Sequence, residues 1–271
     1  MKPSNSTQLR LPAGSLRLLL ATVLAISIPN ARHAHAAGLI ETFSYADGPL
    51  TSVSGGAWQF WEPGAGNATV VNGAARFDGL TDLIRYYPAI LTAPGQTATF
   101  SFTLNVAVAN TTEAYEIALA PSSGFGGFNS TAYDNGLILQ FDYKSAPAGM
   151  SSIEVAEGLG TGLGNTLVSL GFMTTGVTHA IDVTLARGAT NTAYSLFLDN
   201  TLLRSATFVL SAAGGINALE IDQATSSPSV AGSALIDDIR IVPEPSFAGL
   251  LAVGGVWLLA QRRQSSPSAG A

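Results

Sequence analysis

An all-β fold, an antiparallel sandwich of two sheets, is predicted by three observations. Residues 39–241 alternate apolar and polar side chains with period two, they lack helical periodicity, and Gly, Asn, Asp and Pro separate the alternating runs. About a dozen strands in some two hundred residues need two layers to bury their apolar faces. A signal helix before this body and a hydrophobic helix after it complete the predicted organisation: 1–36 signal peptide, 37–241 sandwich, 242–264 C-terminal signal and helix, 265–271 tail.

In chain order, Leu39–Tyr45 and Ala57–Trp61 read as the opening strands. Thr69–Val71 and Ala74–Phe77 flank Asn72-Gly73, a two-residue hairpin turn whose positions both tolerate positive φ. Leu83–Tyr87 follows. The cleanest strand is Thr97–Val108: Ala98, Phe100, Phe102, Leu104, Val106 and Val108 share one face, and Thr97, Thr99, Ser101, Thr103 and Asn105 the other. Ala114–Ala120, Gly136–Tyr143 and Ser152–Ala156 are further strands, and the Gly/Ser/Pro stretches near 121–131 and 158–166 read as surface loops. Thr178–Leu185, Tyr194–Leu198 and Thr201–Leu210 come next, the last two joined by an Asp199-Asn200 turn. Ile216–Ile221 and Ala234–Ile241 close the body.

Composition narrows the function classes. The chain has no Cys, so disulfide staples, cysteine zinc sites and thiol nucleophiles are excluded. Residues 37–241 carry 17 acidic and six basic residues, a net charge near −11. Such a body repels phosphate backbones, which argues against nucleic acid, and suits a soluble exported protein that meets cations or neutral polymers.

The ends read as addresses. Basic residues precede an apolar run, Leu16 to Ile28, that is shorter than the roughly 20 residues of a membrane span. Ala34-His35-Ala36 before Ala37 is a small-x-small site for signal peptidase. Near the other end, Val242-Pro243-Glu244-Pro245 precedes the apolar segment Phe247–Ala260, which Arg262 and Arg263 follow. The basic pair places that end on the cytoplasmic side and the body outside. A simple tail anchor is the alternative.

Pro243-Glu244-Pro245, the apolar segment and Arg262-Arg263 together resemble the PEP-CTERM sorting signal of Gram-negative bacteria. The resemblance implies recognition and processing by an exosortase, a transient stay in the inner membrane, and a final place at the cell surface or outside it. The tail Gln264–Ala271 runs further past the arginines than such signals often do. Ile40 to Leu50 with Gly55-Gly56-Ala57-Trp58, and Tyr194 to Asn200 with the closing Leu235–Ile241, are similar to concanavalin A-like, laminin-G-like jelly rolls. That resemblance implies a last strand paired near the first.

The search for chemistry is less productive. His179 is the only histidine of the body, and no Gly-x-Ser-x-Gly elbow accompanies it, so it reads as a half-buried strand-end residue. Glycosidases need two carboxyl groups flanking the scissile bond. Glu113/Glu116 and Glu154/Glu157 are each three apart, which puts the partners on opposite strand faces. They read as solvated strand-edge charges, and the body as non-catalytic.

Asp237 shares parity with Leu235, Ile239 and Ile241 and would point toward the apolar face. It must then accept backbone N–H bonds or help to hold calcium. Trp58, Trp61, Tyr87 and Tyr133 are the candidate aromatics for binding a glycan, against packing within the sandwich. The expectation is a surface or matrix protein with a non-catalytic jelly roll that binds extracellular polysaccharide. A polysaccharide hydrolase or lyase on the same fold and a passive surface protein are the alternatives.

Overall fold

A computed structural model describes residues 38–61, 66–77, 81–108, 114–121, 136–141, 146–160, 165–210, 215–224 and 233–244. Residues 36–244 cluster as one unit. The signal-peptide positions Ala34, Ala36 and Ala37, the motif residues Pro245, Arg262 and Arg263, and Tyr133 lie outside the described residues.

The strands are β1 (Leu39–Glu41), β2 (Gly48–Pro49), β3 (Gln59–Phe60), β4 (Ala68–Val71), β5 (Ala74–Phe77), β6 (Asp82–Ile90), β7 (Thr97–Val108) and β8 (Ala114–Ala120). They continue as β9 (Leu137–Phe141), β10 (Met150–Gly158), β11 (Asn165–Thr174), β12 (His179–Arg187), β13 (Asn191–Leu198), β14 (Thr201–Val209), β15 (Ile216–Ala224) and β16 (Ser233–Pro243). One helical turn, α1 (Leu50–Val53), follows β2. Two antiparallel sheets result. The first has the order β14-β13-β12-β7-β16-β5-β4-β2, with β1 also on β16; the second runs β11-β10-β9-β8-β15-β6-β3. This is the predicted jelly-roll sandwich.

Local chemistry explains the pairing. Asn72 and Gly73 have φ of 52° and 82°, and Asp199 and Asn200 have 49° and 64°, so both predicted turns have the positive-φ form that matches strand twist. Along β7 the apolar residues Ala98, Phe100, Phe102, Leu104 and Val106 are buried, and along β12 so are Ile181, Val183 and Leu185. Phe102 meets Phe141 of β9 edge-on across the two layers, at 6.3 Å between ring centroids. The termini of the body meet as expected, with Leu39 opposite Ile241. A Cβ on Gly38 would lie 1.6 Å from the Ile241 carbonyl oxygen, so only glycine admits this approach.

The structure adds β11, most of which the sequence left without assignment. Its exposed positions follow no clean alternation, because it is an edge strand, paired only with β10. Both faces of β10 are buried, from Ser151 through Gly158. The same holds for Leu137–Phe141 of β9.

Candidate functional site

The second sheet has two unlike faces. Tyr115, Ile117 and Leu119 of β8, Leu137, Leu139 and Phe141 of β9, and Leu219 and Ile221 of β15 belong to the main core. The intervening residues point the other way. Register places Glu154 opposite Gln140, Gln140 opposite Glu116, Glu116 opposite Asp222, and Asp222 opposite Asp82. These residues form one transverse row across β10, β9, β8, β15 and β6, at about 4.8 Å per strand. The adjoining row is Ala156, Ile138, Ala118, Glu220, Ile84 and Gln59. A third row contains Ala120, Ala218 and Tyr86.

The acidic row is withdrawn from water. Glu154 is 0% and Asp222 2% exposed, and Glu116, Glu220 and Asp82 are also buried. Gln140 Nε2 donates to Glu116 Oε1. Burial pushes the Glu116 carboxyl up to about 7, against the lowering effect of that hydrogen bond. Asp222 is pushed up to about 10, first by burial and then by the charges of Glu116, Glu220 and Asp82. Among the described residues, its Oδ2 and the Oε1 of Gln140 are buried without a hydrogen-bond partner. No Arg, Lys or His stands in the acidic row or the one beside it. Arg85, one residue from Ile84, points to the opposite face and binds Glu41. Asp222 therefore keeps its proton at neutral pH, next to a Glu116 that can ionise.

Other residues singled out by the sequence have different places. Trp58 is 0% exposed; its Nε1 donates to Glu41 Oε2 at 3.0 Å and its ring stacks on Phe43. Tyr87 is a buried core residue. Neither is a binding surface, because inward parity and the need to fill the sandwich bury both. Trp61 is half-buried against the apolar residues of the acidic face. Glu157 points into the sandwich, where Arg204 Nε at 2.7 Å, Arg204 Nη2 at 3.0 Å and the Tyr194 hydroxyl all donate to it. Glu116, Glu154 and Glu157 are thus not solvated edge charges. The spacing argument separated the faces of Glu154 and Glu157 correctly and missed that both faces are covered.

His179 resembles part of a triad without completing one. Its Nδ1 lies 2.7 Å from Asp199 Oδ2, and its Nε2 lies 2.9 Å from the Thr174 carbonyl. A carbonyl only accepts, so Nε2 carries a proton and has no serine to serve.

Asp237 does not share the core-facing side. Thr103 and Ser101 on β7 face Asp237 and Arg240, so β16 holds one extra residue here, and Asp238 has φ of 52°. This bulge resets the alternation: Ile236, Ile239 and Ile241 are buried, and Asp237 is half-exposed. Asp237 Oδ1 accepts the Asp238 amide at 2.7 Å, and Asp238 faces Arg240 at 3.5 Å. Among the described residues no three Asp, Glu or His side chains converge on a metal position. No chemistry is derived through a metal ion here.

Pro243 ends β16. Glu244 continues its path, accepting the Thr99 hydroxyl at 3.0 Å and that of Thr97 at 3.4 Å.

Glu220, Asp222 and Asp82 escaped the sequence reading. Glu220-Ile221-Asp222 carried a usable signal, two acids at i and i+2 on one strand face. Asp82 carried none, since only pairing brings it beside Asp222.

No family model and no curated protein matches the chain. Among solved structures, it is similar to an endo-1,3-β-glucanase from Streptomyces sioyaensis, with a TM-score of 0.54, 10% identity, and coverage of 76% of this chain and 95% of that one. The carbohydrate recognition domain of Emp47p has a TM-score of 0.52 and 14% identity, covering 78% and 97%. Alginate lyase Aly36B, in complex with an alginate trisaccharide, has a TM-score of 0.50 and 13% identity, covering 77% and 98%.

At these identities the likeness is one of fold. The fold is nonetheless one on which polysaccharide-degrading enzymes and a lectin domain are both built. The expectation of a non-catalytic body is therefore corrected. It rested on the lack of a carboxylate pair along one strand, whereas the sheet also brings acids together from neighbouring strands.

Proposed function

We propose that this protein degrades a neutral polysaccharide by glycoside hydrolysis on the outer face of its second sheet. The observation that carries the reading is the cross-strand pair Glu116–Asp222, buried, with no cation in its row among the described residues, and with the Asp222 carboxyl pushed further up than that of Glu116. Directly opposed residues on adjacent strands stand about 4.5–5.5 Å apart at Cα. Side by side in this way, the two are proposed to act by double displacement, in which the carboxyl groups stand about 5–5.5 Å apart.

In the first step Asp222 donates its proton to the glycosidic oxygen as that bond breaks, and the Glu116 carboxylate bonds to the anomeric carbon. In the second, Asp222, now ionised, takes a proton from water; the water oxygen bonds to the anomeric carbon and releases Glu116. Gln140 orients Glu116 through its amide. The product keeps the anomeric configuration of the substrate.

Lyase action on a polyuronate is less well supported. Four acids in one row repel a polyanion, and nothing cationic in the row would neutralise a uronate. The signal-like N-terminus and the Pro243-Glu244-Pro245 segment further support export, signal-peptidase cleavage and exosortase sorting to the cell surface. Finding the intact N-terminus in cytosolic protein would exclude that route.

The test is reducing-sugar release from a panel of neutral and acidic glycans, read with wild type, Glu116→Gln and Asp222→Asn. Activity on a neutral glycan that falls at least about 10³-fold in both variants supports the assignment. Activity unchanged by either substitution, or confined to polyuronates, overturns it.

A further inference from the structure

The two ends of the sandwich differ in charge. At one end β16 finishes beside the start of β7, with Pro243 opposite Ala98, and β12 finishes there too, with Ala186 opposite Thr97. β1 begins at the same end, where Leu39 lies opposite Ile241. In the second sheet the ends of β6, β8 and β10 and the starts of β9, β11 and β15 lie together, and residues 91–96 carry the end of β6 to the start of β7. The sequence that joins strands at this end, residues 91–96, 121–136, 159–164, 188–190 and 210–215, contains one acid, Asp134. The connections at the other end contain Asp47, Glu62, Asp78, Glu113, Asp142 and Asp199, with Lys144 as their one base.

The acid-poor end meets water with uncharged groups. Residues 92–96 and 188–190 are exposed, and Leu159 and Val242 are 43% and 44% exposed. Among the described residues the exposed carboxylate at this end is that of Glu244, which accepts the Thr99 and Thr97 hydroxyls.

Chain length ties the same end to the apolar segment. Pro245 and Ser246 alone separate Glu244 from Phe247, where the apolar run to Ala260 begins. Three residue steps span at most about 11 Å. The other end is further off: β12 runs nine residues from His179 to Arg187, about 27 Å at about 3.4 Å per step. With the apolar run in a bilayer, so short a tether reaches only the end of the sandwich at which β16 finishes. Repulsion between acids and anionic lipid headgroups acts over about 8–10 Å in salt, and this end offers little to repel.

We infer that the end of the sandwich at which β16 finishes, with the turns 92–96 and 188–190, Leu159 and Val242, is a docking surface for a phospholipid bilayer. Both sheets then stand on the membrane, and the acidic end points away from it. The inference rests on reading the apolar run as membrane-inserted and is independent of the glycosidase reading.

The chain has no Cys, so one introduced cysteine carries one nitroxide. Full-length Ala189→Cys and Asn200→Cys are reconstituted into vesicles of phosphatidylethanolamine and phosphatidylglycerol that also hold a nickel-chelating lipid. Flotation with the vesicles after a carbonate wash tests insertion. Nickel should relax the nitroxide at position 189 at least about fivefold faster than that at position 200, since the two stand roughly 27 Å apart along the strands. Adding Thr92→Glu and Thr190→Glu should cut this enhancement about twofold in the anionic vesicles, and high salt should restore it. Equal relaxation at the two positions in floated vesicles would overturn the inference. So would an enhancement indifferent to the added acids, or dipolar broadening between labels at position 189, the mark of a second copy seated there. If the protein does not float, the membrane reading of the apolar run fails, and the docking surface fails with it.

Discussion

Buried carboxylates occur in two settings in this sandwich, inside it and on the outer face of the second sheet. Inside, Glu41 of β1 accepts Arg85 Nη1, the Phe43 amide at 2.8 Å, the Tyr45 hydroxyl at 3.0 Å and Trp58 Nε1 at 3.0 Å. Glu157 is likewise gripped by Arg204 and Tyr194. On the outer face, Glu116 has one amide donor from Gln140, and Asp222 has acids as its neighbours on both adjoining strands. A buried charge is costly unless matched. The interior glutamates are matched, and they tie strands of one sheet to the other. The outer pair is left unmatched, so one member holds a proton.

This contrast can be broken from the interior side first. Glu41→Ala leaves Arg85 without its carboxylate and strips the acceptor from three further donors. Loss of about 3–5 kcal/mol is expected in urea-induced unfolding. Glu116→Gln should change the same quantity by less than about 1 kcal/mol. Comparable losses in the two variants would erase the distinction.

The second effect has the opposite sign. Folded Asp222 holds its proton up to about pH 10, while an unfolded aspartate releases it near pH 4, at about 3.9. Between those values the native state binds more protons than the unfolded one, so stability falls as pH rises. Asp222→Asn removes this penalty. It should stabilise the protein at pH 8, by up to about 5 kcal/mol from this linkage, with no gain at pH 3, and should end the proposed glycan cleavage. Thermal unfolding across pH measures it, and a destabilised variant at pH 8 would contradict the assignment.

The smallest effect lies at the hairpin turn. His179 and the Ala180 amide hold the Asp199 carboxyl below its ordinary value. Its contribution is present above the unfolded value of about 3.9 and is lost as pH falls through the lowered folded one. The side chain is 52% exposed, so solvent screening limits the Asp199→Asn loss to about 0.5 kcal/mol at pH 7. That loss should vanish in acid.

Much of the fold could be read from residues near one another in sequence. Alternation along Thr97–Val108 marked β7 to its ends, and Asn72-Gly73 and Asp199-Asn200 marked two hairpins, because each is a local steric preference. Alternation failed at Asp237-Asp238, where the bulge inserts a residue that local pattern does not announce. It also failed to predict the environment of Glu116 and Glu154, since parity gives a side chain's face and says nothing about what covers that face.

The sequence by itself determined the all-β sandwich, its turns and which side of each strand a residue occupies, all consequences of backbone sterics and period-two geometry. Only the tertiary structure decided that Glu154, Glu116, Asp222 and Asp82, drawn from four strands, share one line. Strand order and register are set by the packing of the whole core, and the separations between those acids along the chain carry no trace of either.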